Sequence, residues 1–444
     1  MCLVSCYNNL HISYNLLKFS LYLPLRRIGK FLANLYKELW SVINKIRNEN
    51  MEQSLKKYVT TWGNAISIAD RRPENYAKDL TLRYPIRPMF DGDSIKITLD
   101  NFCGTEPVTI TRVFVADSAD SARAIVEETS TPVTFCGDSS VTIPAGEAIV
   151  SDAIPFSVVR GNDISVSFYL GEFTQMRSAV LITGPLSKGY YAVGDYAQRS
   201  VLPLDFTRNT NWFYFLSNVE LYTESTNRAV ICYGDSITSQ AWPDYLTLRL
   251  FQEDITHTAI VRRAASGTRI LRQYDNITYD SYGLKGSIRF PREAKVSGAD
   301  SIIIQHGIND IIHPVGTEVN PFRPWSDLPT ADELIQGLRQ YITQAKEYGL
   351  KVYMGTLLPI YGWRTYEPFR DELRCAVNEW IRKTAEIEGC IDFDKALCDS
   401  ANPAAFAKEY DSGDHLHPSL AAYERMAAEV PESLLRLLSI CPPK

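Results

Sequence analysis

Two rhythms of apolar and polar positions divide the chain. Between about Lys57 and Phe206 they alternate with a period of two, as in Ser94–Leu99, Val108–Val115, Ser140–Ile143 and Ile164–Tyr169. Such alternation predicts strands with one buried and one wet face. Turn-forming clusters separate them: Asp91-Gly92, Gly137-Asp138, Pro144-Ala145-Gly146 and Gly161-Asn162-Asp163. Short strands at this spacing predict an antiparallel β-sandwich. After about Asn227 near-continuous apolar runs take over, at Ala229–Tyr233, Thr258–Val261, Ser301–Gln305, Lys351–Leu357 and Cys390–Phe393. Helical patterns alternate with them, near Trp242–Phe251, Ala331–Tyr348, Pro368–Glu386 and Ser419–Leu438. Strands that are apolar throughout and joined by helices predict a doubly wound, flavodoxin-like α/β domain with a parallel sheet covered on both faces. The predicted layout is a tail at 1–50, a β-sandwich domain at 51–225 and an α/β domain at 226–444.

The tail has its own pattern. Leu16–Leu25 is apolar but interrupted by Lys18 and Pro24 and followed by Arg26 and Arg27. It is too short to span a bilayer and lacks the layout of a secretory signal. Cytoplasmic residence is therefore expected, with secretion as the alternative. From Ile28 to Ile46, Phe31, Leu32, Leu35, Leu39, Val42, Ile43 and Ile46 recur at helical spacing. This fits an amphipathic surface helix, a helix packed on the body, or a stretch preceding a true start at Met51.

Composition narrows the partners. Of 444 residues, 45% are hydrophobic and 22% charged, as in a globular protein. The net charge of −6 disfavours nucleic acid or an anionic membrane surface. The nine cysteines are scattered, with no CxxC pair, so neither a disulfide framework nor a zinc site is expected. No metal or cofactor is expected: HExxH, a P-loop and GxGxxG after the first α/β strand are all absent.

Gly-Asp-Ser occurs three times, at 92–94, 137–139 and 234–236. The first two sit at turns into alternating strands, where Gly and Asp are ordinary. The third follows the run Ala229–Tyr233 and precedes a predicted helix, which exposes the Ser236 hydroxyl at a strand-to-helix junction; Gly234 is expected to supply a sharp turn. A serine nucleophile needs a base. Of six histidines, His11 lies in the tail and His257, His306 and His313 lie beside strand runs, whereas His415 and His417 share a loop before the last helix. Asp414, three residues before His417, can bond one imidazole nitrogen while the other faces a serine; His415 reads as a bystander. Donors for an oxyanion are offered by the N–H of Gly267 in Ala265-Ser266-Gly267 and by the amide of Asn309 in Gly307-Ile308-Asn309-Asp310.

Taken in order, these blocks resemble the GDSL/SGNH hydrolases, a family of serine esterases. Gly234-Asp235-Ser236-Ile237-Thr238 matches the first block, Gly267 the second, Gly307-Ile308-Asn309-Asp310 the third and Asp414-His415-Leu416-His417-Pro418 the last. One departure is that Arg262-Arg263 stands where an asparagine is often found. The resemblance implies Ser236 as nucleophile, His417 as base, Asp414 as its orienting group, and an oxyanion hole of Ser236, Gly267 and Asn309. Gly307–Ile311, Thr356–Pro359, Val377–Ile381 and Tyr410–His417 are similar to a branch associated with xylan and other carbohydrate esterases, whose members often carry an N-terminal β-rich region. A short-acyl, O-acetyl esterase acting on a glycan or other small ester is then expected. A lipase, lysophospholipase or thioesterase, or an inactive carbohydrate-binding protein, are the alternatives. Trp325, Tyr361, Trp363 and Tyr366 fall in loops expected to rim the site, as sugar-stacking rings or as loop packing. Oligomeric state is not legible.

Overall fold

The computed structural model describes residues 36–40, 55–69, 75–119, 123–203, 208–275 and 280–436. The chain divides into two compact units, Met1–Lys56 and Lys57–Lys444. In the first, Tyr36–Trp40 is helical, with the Tyr36 and Trp40 rings stacked at 6.3 Å. The remainder of the predicted amphipathic helix, the Leu16–Leu25 run, His11, Cys2 and Cys6 lie outside the described residues, as does Cys441. No described helix is long and apolar enough to cross a membrane.

The second unit opens with strands β1 (Lys56–Gly63), β2 (Leu80–Ile86), β3 (Gly92–Asp100), β4 (Arg112–Asp117), β5 (Thr131–Val133), β6 (Ala148–Val150), β7 (Ile154–Val158), β8 (Ile164–Leu170), β9 (Gly189–Val193), β10 (Arg208–Thr210) and β11 (Leu216–Glu224). One antiparallel sheet has the order β1-β11-β3-β6, with β7 also on β3; the other has β10-β9-β2-β8-β4-β5. Alternate residues of both, among them Ile95, Ile97, Leu99, Val219 and Leu221 of one and Leu82, Val113, Val115, Val166 and Phe168 of the other, join one apolar core. The predicted strand Val108–Val115 is broken at Thr111. Val108–Ile110 pairs with Val141–Ile143 in a separate ribbon, and β4 starts afresh at Arg112.

From Arg228 the architecture is α/β. Strands β12 (Arg228–Gly234), β13 (Thr258–Ala264), β14 (Ala299–Gln305), β15 (Lys351–Gly355) and β16 (Gly389–Ile391) form one parallel sheet in the order β13-β12-β14-β15-β16. The chain steps outward from β12 to β13, then crosses back to β14. That reversal opens a crevice at the carboxyl ends of β12 and β14, where doubly wound folds bind ligands. Helices α1 (Ser236–Ser239), α2 (Trp242–Gln252), α3 (Gly286–Glu293), α4 (Ile308–Ile312), α5 (Ala331–Glu347), α6 (Pro368–Lys383), α7 (Phe393–Leu397) and α8 (Leu420–Glu429) lie between and after these strands. The predicted final helix is shorter than its pattern, because Pro431 cannot continue it. Helix α3 escaped prediction: Pro291 and three charged residues blur its periodicity.

Strand β13 is the outer strand of the parallel sheet, and an open edge invites pairing with other chains. Here the β-rich half covers it. Arg263 on β13 donates to the carbonyls of Asn64 and Ser217 and to the Asn218 amide oxygen. Arg262 donates to Ser187 Oγ at 3.0 Å and pairs with Asp244 of α2, which also accepts from Leu186 N and Ser187 Oγ, both at 2.8 Å. Arg292 of α3 pairs with the buried Asp100 of β3. The apolar core runs without interruption from the sandwich into the parallel sheet.

Candidate active site

Ser236 begins α1 immediately beyond β12, with Asp235 capping the helix through a bond from Ile237 N to its Oδ1 at 3.1 Å. The expected sharp turn at Gly234 does not occur: this residue is the extended end of β12. Glycine is required there by crowding instead. A Cβ would stand 2.3 Å from the Gln305 carbonyl oxygen and 2.5 Å from Thr238 Oγ1, because the ends of β12 and β14 converge.

The loop before α8 carries Asp414 and His417. Asp414 Oδ1 accepts from Leu416 N at 3.0 Å, His417 N at 2.8 Å and Ser412 Oγ at 3.1 Å, which fixes the carboxylate. Its Oδ2 lies 2.7 Å from His417 Nδ1, and His417 Nε2 lies 2.9 Å from Ser236 Oγ. Partial burial raises the Asp414 carboxyl, but the bonds from the His417 ring and from the two N–H groups outweigh it and hold it down at about 2. A charged carboxylate on Nδ1 selects the tautomer that leaves Nε2 free to accept the serine proton.

The remaining predicted residues meet at Thr268. Gly267 adopts φ +79, and a Cβ there would stand 2.4 Å from the Tyr282 ring. Its turn is tied to β12 by Ala265 N to Gly234 O at 3.2 Å and to α1 by Ser266 Oγ and Ser239 Oγ at 3.1 Å. Asn309, second residue of α4, donates one Nδ2 hydrogen to Thr268 O at 3.0 Å and keeps the other. The Ser236 N–H heads a helix and so has no intrahelical acceptor.

Sequence reasoning missed the groups that hold this turn. His306 Nε2 lies 3.1 Å from Thr268 O and 3.2 Å from Thr268 Oγ1. Arg289 donates to Thr268 Oγ1 at 2.8 Å and pairs with Glu293 at 2.7 Å, both fully buried. Burial first, then the Arg289 charge, pulls His306 down to about 3, so its ring is neutral. The i, i+4 spacing of Arg289 and Glu293 announced an ion pair, but nothing local announced its burial. Elsewhere, His257 Nδ1 lies 3.1 Å from Asn227 Oδ1, and His313 is held well below its usual value by burial and by Arg269, Arg323 and Arg364. Trp325 and Tyr361 are exposed, while Trp363 and Tyr366 pack on the core.

Residues 232–425 match the family described as GDSL-like Lipase/Acylhydrolase. Comparison with curated proteins gives no match. Among solved structures the chain is similar to a GDSL-like lipase from Bacteroides thetaiotaomicron, at 18% identity over 47% of this chain and 87% of that one, with a TM-score of 0.32. An acetyl-xylooligosaccharide esterase from Geobacillus Stearmophilus has 18% identity over 46% and 91%, with a TM-score of 0.35. A member of the lipolytic G-D-S-L family from Veillonella parvula has 18% over 47% and 100%, with a TM-score of 0.32. By the family match, residues 232–425 carry a GDSL-like acylhydrolase domain, a carboxylic ester hydrolase.

Two buried carboxyls beside the site give a pH signature. Burial pushes Asp235 up to about 7 and Asp310 up to about 6, against smaller opposing pulls from N–H donors. A carboxyl raised on folding binds its proton more tightly folded than unfolded, so it lowers stability as pH rises from about 4 to its folded value. Asp235→Asn removes one such share. The Tm of the variant minus that of the wild type is expected to grow from pH 4 to pH 7; a difference that stays constant would show that Asp235 ionises as it does in water.

Proposed function

We propose that this acylhydrolase domain is a serine esterase that removes a short acyl group, acetyl foremost, from a carbohydrate. The observation that carries the reading is the unbroken relay from Asp414 Oδ2 to His417 Nδ1 at 2.7 Å and from His417 Nε2 to Ser236 Oγ at 2.9 Å. His417 takes the Ser236 proton as Oγ attacks the ester carbonyl. The tetrahedral oxyanion is held by the N–H groups of Ser236 and Gly267 and by the second Asn309 amide hydrogen. The imidazolium, stabilised by Asp414, passes its proton to the departing alkoxide, leaving an acyl group on Ser236. Water, deprotonated by His417, then releases the acid and restores the serine.

Two features support the finer reading. Tyr282 lies directly on Gly267 and walls the space beside that donor, which suits a short acyl group. Exposed Trp325 and Tyr361 follow β14 and β15, on the side of the sheet where the nucleophile sits, and offer faces to a sugar ring.

Hydrolysis of p-nitrophenyl esters from acetate to palmitate tests this directly. Acetate is expected to be cleaved best, and Ser236→Ala is expected to lose about 10⁴-fold or more in kcat. A preference for long chains would move the reading to a lipid or thioester substrate, and full activity in Ser236→Ala would remove the nucleophile assignment. Thr268 acts only as a positioning residue. Thr268→Val loses the bonds from Arg289 and His306 to Oγ1 and is expected to lower kcat by about tenfold to a hundredfold with little change in KM, whereas Thr268→Ser keeps most activity. A rise in KM at constant kcat would contradict that role.

A further inference from the structure

Beside the relay stands a second carboxylate–imidazole pair that the reaction does not use. His415 Nδ1 lies 2.5 Å from Asp411 Oδ2, while Asp411 Oδ1 accepts from Gly413 N at 2.8 Å and His415 N at 3.1 Å. His415 adopts φ +63, a left-handed conformation that costs an L residue about 1 kcal/mol or more. Such strain persists where the surroundings impose it, and it gathers at ligand sites. Because Asp411 engages Nδ1, the Nε2 atom faces away from it, on a side chain that is 48% exposed.

A second loop completes the arrangement. Gly362, at φ +92, lies so close under the His415 ring that a Cβ would stand 2.8 Å from His415 Cγ. Its neighbour Tyr361 is 49% exposed, with its ring braced edge-on by Tyr366 at 5.0 Å. The backbone of this loop is pinned by Ile360 N and Tyr361 N, which both donate to Ala404 O, at 3.0 and 2.8 Å. An oriented imidazole, two residues from His417, thus packs on the glycine next to a braced aromatic ring. A hydrocarbon chain has no use for an imidazole held by a carboxylate. A sugar ring, with one apolar face and a rim of hydroxyls, uses both groups.

We propose that Tyr361 and His415 form the subsite for the alcohol part of the ester, with a pyranose ring lying on Tyr361 and one of its hydroxyls donating to His415 Nε2. The proposal rests on the carbohydrate-esterase reading above. Its test compares kcat/KM for a monoacetylated sugar with free hydroxyls, 6-O-acetylglucose, with that for p-nitrophenyl acetate in the full-length wild type, Tyr361→Ala, Tyr361→Phe and His415→Asn. Asparagine tolerates the left-handed backbone, so the loop that carries His417 keeps its course. The ratio of sugar ester to p-nitrophenyl acetate is expected to fall about tenfold in Tyr361→Ala and His415→Asn, and to hold in Tyr361→Phe, which keeps the ring face. If the wild type cleaves the sugar ester and the ratio stays constant in every variant, including where both rates fall together, the subsite is overturned while the carbohydrate reading stands. If the wild type cleaves p-nitrophenyl acetate but not the sugar ester, the carbohydrate reading fails and the subsite falls with it.

Discussion

Arg263 leaves the outer strand of the parallel sheet and gives its guanidinium hydrogens to the Asn64 and Ser217 carbonyls and the Asn218 amide oxygen. Burial draws this group down to about 10, so it remains charged at neutral pH. A buried cation is tolerable only when its donors are met, and removing it would leave the Asn64 carbonyl and the part-buried Asn218 amide oxygen without this donor, at about 1–3 kcal/mol each. With Arg262 and its Asp244 and Ser187 partners, Arg263 binds the sandwich to the edge of the hydrolase sheet. The same strand leads into the Gly267 turn, and its Arg263 carbonyl accepts from Arg289 at 3.4 Å, the residue that holds Thr268. The β-rich half is therefore a wall of the catalytic half rather than an appendage.

The site inherits its order from this packing. Ser236, Gly267 and Asn309 sit at the ends of three adjacent strands, so the spacing of the sheet sets their separation, and Thr268 sets the orientation of the last two. Only Asp414 and His417 arrive from elsewhere, on the loop before α8. That loop is closed by Ser412 N to His417 O at 3.2 Å and by the bonds gathered on Asp414. A serine on a rigid strand end, met by an imidazole on a self-braced loop, would need little rearrangement to react in the proposed hydrolysis.

Much of this was legible in the sequence, because it depends on short-range pattern. The switch from a period of two to apolar runs with helices gave the change of architecture, and the ordered blocks pointed to Ser236, Asp414, His417, Gly267 and Asn309, which the fold brings together. What could not be read depends on tertiary burial. Arg262 and Arg263 looked like a departure from the family pattern and prove to be the anchor of the edge strand. Arg289, Glu293 and His306 are polar residues that only the packed fold turns into a network under Thr268. Helix α3 was hidden by its Pro291, and the role of Gly234 by a neighbour 71 residues further on, Gln305. His415 was set aside as a bystander because its left-handed backbone and its contact with Gly362 have no local signature.

Calorimetric unfolding of the intact chain, with esterase activity followed in the same heated samples, tests most directly whether sandwich and hydrolase form one body. A single main transition is expected, with activity lost within it, and Arg263→Met should lower its temperature while leaving it single. Two separate transitions, with activity outlasting the first, would show that the β-rich half unfolds on its own and that the site does not depend on it.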